Sequence, residues 1–113
     1  LAHGPQVRDV PVPSGPELLS LPVCDPAHLM RALASRGCNQ VLWECGPELA
    51  AAAVQQHCVQ ELAVVVAPKL LGGNASRTPL GDLGLINLDQ AKQLEREQTI
   101  SLGDDLLLVS LLN

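Results

Sequence analysis

The sequence predicts an α/β fold: a mainly parallel sheet flanked by helices, with an antiparallel hairpin closing its C-terminal end. Three observations lead there. Apolar runs and helical patterns succeed one another as strand, helix, strand, helix, strand, with the short connections of parallel strands joined by right-handed crossovers. The composition is 47% hydrophobic yet includes a single aromatic, Trp43, and neither Phe nor Tyr. Leu, Val and Ala must then fill the core, as they do where branched strands lie under alanine-rich helices. Finally, the C-terminal stretch reads as two strands about a Gly-Asp turn. The 113 residues suit one domain spanning 1–113.

The elements follow in order. "VRDVPV" (Val7–Val12) alternates like a short strand, but Pro11 and Pro13 cannot donate to a ladder, so it belongs at a sheet edge. "PSGPELLSLP" (Pro13–Pro22) reads as a surface loop. Asp25-Pro26 is a helix start, Asp as N-cap and Pro at the first helical position. Leu29, Met30, Leu33 and Ala34 make its apolar stripe, Arg31 and Arg36 lie off it, and Gly37 stops it. "NQVLWE" (Asn39–Glu44) is a short strand, and Gly46-Pro47 opens a second helix that runs to about His57. "ELAVVVAP" (Glu61–Pro68) lacks alternation, which predicts a strand covered on both faces. "KLLGGNASRTPLGDLGLINLDQ" (Lys69–Gln90) is a long surface loop able to carry function. "QLEREQTIS", "LGDD" and "LLLVSLL" form the closing hairpin.

Bulk properties exclude several roles. A formal charge of −5 with seven scattered basic residues disfavours nucleic acid and anionic membrane surfaces, which need clustered Lys and Arg. No apolar stretch has the length of a membrane span, and the start lacks a signal-peptide pattern, so a cytoplasmic location is expected. Cys24, Cys38, Cys45 and Cys58 have no CxxC spacing and the histidines lie at no zinc-ligand interval, which predicts free buried thiols and no metal. The chain opens at Leu1 without an initiator Met, as a segment of a longer polypeptide would.

One stretch combines features that packing does not require. In an open α/β sheet, ligands bind outside the carboxyl ends of parallel strands, where the next helix begins. Trp43 to Glu48 is such a place. Gly46 admits close approach to the backbone, and Pro47 presets the first helical φ. The open N–H groups and dipole of a helix start suit a phosphate. Ala50 to Ala53 present only methyl groups. Glu44, ending a strand, is either an exposed carboxylate or a hydrogen-bond acceptor for a polar ligand. Lys69 and Arg77, flanking the Gly-rich loop, read as solvated surface charges with a phosphate contact as the alternative.

The run "GCNQVLWECGPELAAAAVQQHCVQELAVVVAPKLLGG" (Gly37–Gly73) resembles the reductase domain of the riboflavin-biosynthesis deaminase/reductase family. That family has an apolar strand ending in Glu, a small residue, Gly-Pro, a small-residue helix, a "VDEL"-like link, a strand and "APKLLG". "GDDLLL" (Gly103–Leu108) resembles its closing hairpin, so the resemblance covers about Asp25 to Leu112. It implies a dihydrofolate-reductase-like fold, here a partial, C-terminal portion of the domain. It also implies NADPH-dependent reduction of 5-amino-6-(5-phosphoribosylamino)uracil, the ribosyl group becoming ribityl. Glu44 would contact substrate, while Gly46, Pro47, Glu48, Leu49, Ala50, Ala51 and Ala52 would hold the cofactor. No catalytic acid or base is assigned. Cys45 stands where the family usually has Gly or Ala, and Glu48 where Thr is common. The deaminase zinc signature is not in this sequence. A homodimer, or association with the missing N-terminal portion, is expected. The alternatives are a non-catalytic assembly module that keeps the fold, and a related NADPH reductase acting on another heterocycle.

Overall fold

A computed structural model describes residues 2–3, 15, 17–73 and 78–112. The expected edge strand Val7–Val12 lies outside them, as does Arg77. The chain divides into two compact units, Leu1–Glu44 and Cys45–Asn113.

In the first unit, β1 (Ala2–His3) pairs in parallel with β2 (Leu19–Ser20), a two-residue strand inside the stretch expected to be loop. Helix α1 (Pro26–Ala34) begins as its sequence dictates. Asp25 is extended at φ −127°, ψ 122°, and its Oδ2 accepts from the His28 N–H at 2.8 Å. Pro26, whose missing donor costs nothing at this position, is fully buried. At the other end Gly37 takes φ +84°, which lets the Cys38 N–H reach the Leu33 carbonyl at 3.1 Å and the Gly37 N–H the Ala34 carbonyl at 2.9 Å. Those two bonds are the Schellman pattern, so the predicted glycine stop holds. The Arg36 guanidinium donates to the Glu17 carboxylate in an exposed ion pair.

Asn39–Glu44, expected as a strand, belongs to no sheet among the described residues. A strand exists through its ladder, and no described segment pairs with this run. The same fact bears on the expected mainly parallel sheet. The second unit instead has an antiparallel three-stranded sheet, ordered β3-β5-β4, and β1–β2 is the parallel pair among the described residues. The α/β class and the C-terminal antiparallel hairpin are as expected.

That second unit opens with α2 (Pro47–Gln55), two residues shorter than predicted. It ends in a Schellman closure of its own: the His57 N–H meets the Val54 carbonyl at 3.2 Å and the Cys58 N–H the Ala53 carbonyl at 2.9 Å. The residue in the left-handed position is His57, at φ 55°, where glycine is usual. Ala51, Ala53 and Val54 are buried and form the core of this helix. Strand β3 (Glu61–Val66) runs antiparallel to β5 (Asp105–Leu112), Glu61 opposite Leu111 and Val66 opposite Leu106. β3 is not covered on both faces. Leu62 and Val64 are half-buried while Ala63, Val65 and Val66 are exposed, the alternation of a strand covered on one face only. β4 (Leu94–Leu102) pairs with the other side of β5. Gly103 and Asp104 connect them, with positive φ at Gly103 alone, the arrangement that places Gly first in a two-residue hairpin loop. The register shifts between Arg96 and Gln98.

Two exposed cysteines, Cys24 and Cys38, and two half-buried ones, Cys45 and Cys58, form no disulfide with one another. Their burial is thus lower than expected, since none of the four sits in the small core of either unit.

Candidate functional site

The seven residues Gly46–Ala52 form one continuous feature, the N-cap and first turns of α2. Gly46 has φ −72° and ψ 168°, extended backbone open to any residue, and a Cβ there would meet nothing within 4 Å. Neither backbone conformation nor packing therefore demands glycine at this position. What its absent side chain does leave is a bare approach to the helix start.

Pro47 occupies the first helical position and Gly46 offers no side-chain cap. The Ala50 N–H is engaged with the Gly46 carbonyl at 3.0 Å. The N–H groups of Glu48 and Leu49 are thus left without the side-chain acceptor that Ser, Thr or Asp would supply. These donors and the positive end of the dipole are chemically suited to a phosphate. The fit is opposed at one point: exposed Glu48 places a carboxylate in the same turn. Leu49, Ala50 and Ala52 are half-buried and Ala51 buried, so the methyl groups of this helix serve packing as well as any ligand.

Glu44 precedes Gly46 by two residues and ends the other compact unit; it is exposed, in an extended run. Trp43, the residue before it, is half-buried. Lys69 is exposed, and its N–H turns back to the Ala67 carbonyl at 2.8 Å across Pro68.

Sequence reasoning missed the loop that meets the helix start. The Gly81 N–H donates to the Pro47 carbonyl at 2.9 Å, which brings the segment after Arg77 onto the first turn of α2. On either side of Gly81 the loop is held by short local bonds. The Thr78 Oγ1 donates to the Leu80 carbonyl at 2.7 Å, and the Gly84 N–H to the Asp82 Oδ1 at 2.7 Å. Farther on, the Ile86 and Asn87 N–H groups both donate to Gln90 Oε1, fastening the 3₁₀ turn Leu88–Gln90. The signal was present in "TPLGDLG", where Asp-x-Gly reads as an Asx turn.

Comparison with known proteins supplies the family. The RibD C-terminal domain model matches residues 6–108. Riboflavin biosynthesis protein RibD of Synechocystis sp. is 42% identical over 91 residues, covering 80% of this chain and 25% of that protein. The chloroplastic riboflavin biosynthesis protein PYRR of Arabidopsis thaliana is 34% identical over 93 residues, covering 82% of this chain and 16% of its own. The chain thus spans a quarter or less of the length of these two relatives. Among solved structures, Acinetobacter baumannii RibD, form 2, superposes with a TM-score of 0.74 at 24% identity over 85% of this chain and 27% of its own, a likeness of fold. With the matched model spanning most of its length and the ordered motif set from Gly37 to Gly73 inside that match, this chain belongs to the RibD C-terminal domain family.

Proposed function

We propose that this chain is the C-terminal portion of an NADPH-dependent reductase domain of riboflavin biosynthesis, reducing 5-amino-6-(5-phosphoribosylamino)uracil to its ribityl product. The observation that carries the reading is the start of α2. Its amides lack a side-chain cap, and its glycine is required by neither conformation nor packing, in a chain of the RibD C-terminal domain family.

When bound, NADPH supplies the hydride. The chain's own residues bind and orient. The Glu48 and Leu49 amides donate to a cofactor phosphate, Gly46 clears the approach, and Pro47 and Ala50 to Ala52 hold the helix at which it docks. Glu44 accepts hydrogen bonds from the polar pyrimidine substrate, fixing its orientation without itself moving a proton. The proposed setting is cytoplasmic; among the described residues no helix is long and apolar enough to cross a membrane. The rest of the reductase domain is the proposed partner in the same polypeptide. The open edge of β3 and the exposed Leu70 and Leu71 are apolar surface of the kind that such a partner or a second copy covers.

Stoichiometric NADPH oxidation driven by this pyrimidine, in the product of the complete reading frame, is the test. A folded protein without that activity refutes the proposal. Glu48 in the phosphate turn favours a second reading, a non-catalytic assembly module. Light scattering that finds only monomer at high concentration would contradict that one.

A further inference from the structure

Two glycines of the loop after β3 are there for different physical reasons. Gly84 has φ +69°, a left-handed conformation, and nothing stands within 4 Å of where its Cβ would be. Gly81 has no such backbone requirement. It is glycine because of what it touches. A Cβ at Gly81 would lie 3.0 Å from the Pro47 carbonyl oxygen, 3.3 Å from the Pro47 carbonyl carbon and 3.4 Å from Ala51 Cβ. The same residue donates its N–H to that Pro47 oxygen at 2.9 Å. The loop backbone is therefore seated directly against the backbone of α2, at the first residue of the helix. An exposed loop free of any such seat would have little reason to hold this separation. This one is also stiffened beside the contact, by the Thr78 and Asp82 bonds, and Leu80, Gly81 and Leu83 are half-buried.

We propose that Gly81 is a positioning residue for the cofactor turn: its close seat on Pro47 locks the loop 78–86 to the start of α2 and so fixes where the Glu48 and Leu49 amides point. The proposal rests on the reading of Gly46–Ala52 as the NADPH site. Gly81 itself touches no cofactor. It acts through Pro47. A methyl group at 81 has a carbonyl in its way, and a carbonyl within a helix cannot swing aside as a flexible side chain does. Either the loop withdraws by a few tenths of an ångström or the helix start tilts, and either change re-aims the Pro47–Glu48 peptide whose N–H faces the cofactor turn.

The test uses the product of the complete reading frame, with Gly81→Ala and Gly84→Ala compared. Gly84→Ala strains the same loop through its positive φ without meeting α2, so it reports loop destabilisation alone. The expected result for Gly81→Ala is an NADPH KM raised about three- to tenfold, with kcat and the KM for the pyrimidine within about twofold of wild type. Gly84→Ala should lower Tm and leave the NADPH KM in place. An unchanged NADPH KM in Gly81→Ala, or an equal rise in both variants, overturns the assignment. If Gly81→Ala does not fold, hydrogen–deuterium exchange of the wild type decides. NADPH should slow amides 80–82 together with 48–51, and slowing at the helix alone overturns the coupling. Wild-type protein that never oxidises NADPH removes the reductase reading and this assignment with it. Active wild type with an indifferent Gly81→Ala removes only the assignment.

Discussion

Replacing Glu48 with Gln sets two consequences of one charge against each other. Glu48 lies in the first turn of α2, exposed, with an N-cap that contributes no side-chain bond. A carboxylate there interacts favourably with the helix dipole, by about 0.3–1 kcal/mol at an exposed site, so Glu48→Gln should lower stability by that amount. A phosphate on the Glu48 and Leu49 amides would share the first turn with the same carboxylate, and the separation is taken as roughly 7 Å for a Coulomb estimate. With an effective dielectric between about 40 and 80, the repulsion is about 0.6–1.2 kcal/mol per unit of phosphate charge. Removing it should tighten NADPH about three- to eightfold. The assay is the NADPH KM and Kd of Glu48→Gln beside wild type, at low and high salt, with a thermal melt of each. Tighter binding, a gap that narrows as salt rises, and a lower Tm are the expected set. Weaker or unchanged NADPH binding in a folded Glu48→Gln variant would refute the placement of a phosphate at this turn.

The other outcomes concern substrate binding and the two helix ends. Glu44→Gln should raise the KM for the pyrimidine more than about tenfold while leaving that for NADPH within about twofold, since a charge-assisted acceptor is lost from one ligand only; steady-state kinetics with each ligand varied in turn checks it. His57→Gly should stabilise the protein by up to about 1 kcal/mol, a Tm rise of a few degrees, because φ 55° is costly for a residue with a Cβ. Asp25→Ala should cost about 1 kcal/mol through the lost bond to the His28 N–H, with a matching fall in Tm.

The features legible in the sequence were those set by local chemistry. Asp25-Pro26 and Gly46-Pro47 start helices where they stand, and Gly37 ends α1, because capping and proline geometry act within one turn. The Gly103-Asp104 hairpin was legible for the same reason. Pairing was not. Asn39 to Glu44 has the composition of a strand, but composition is silent on which partner completes a ladder, and none of the described segments does. Likewise the run Glu61–Pro68 is apolar enough for two-sided burial, yet its strand is covered on one face only. His57 as a left-handed closure had no sequence signal at all, since the usual marker is glycine or asparagine. The candidate site was legible as the Glu-x-Gly-Pro turn. The contact of Gly81 with Pro47 was hidden, because it joins residues far apart in the chain.

Trp43 offers the most direct measurement, as the single tryptophan and three residues from Gly46. The product of the complete reading frame and its Trp43→Phe variant would be titrated with NADPH and then NADH, following the part of the emission and of the energy transfer to the reduced nicotinamide that Trp43→Phe abolishes. A cofactor seated on the Gly46–Ala52 turn requires saturable transfer that is stronger for NADPH. A folded, saturating protein that oxidises NADPH but shows no transfer from Trp43 would contradict that seat, and one with no NADPH response of any kind would contradict the reductase itself.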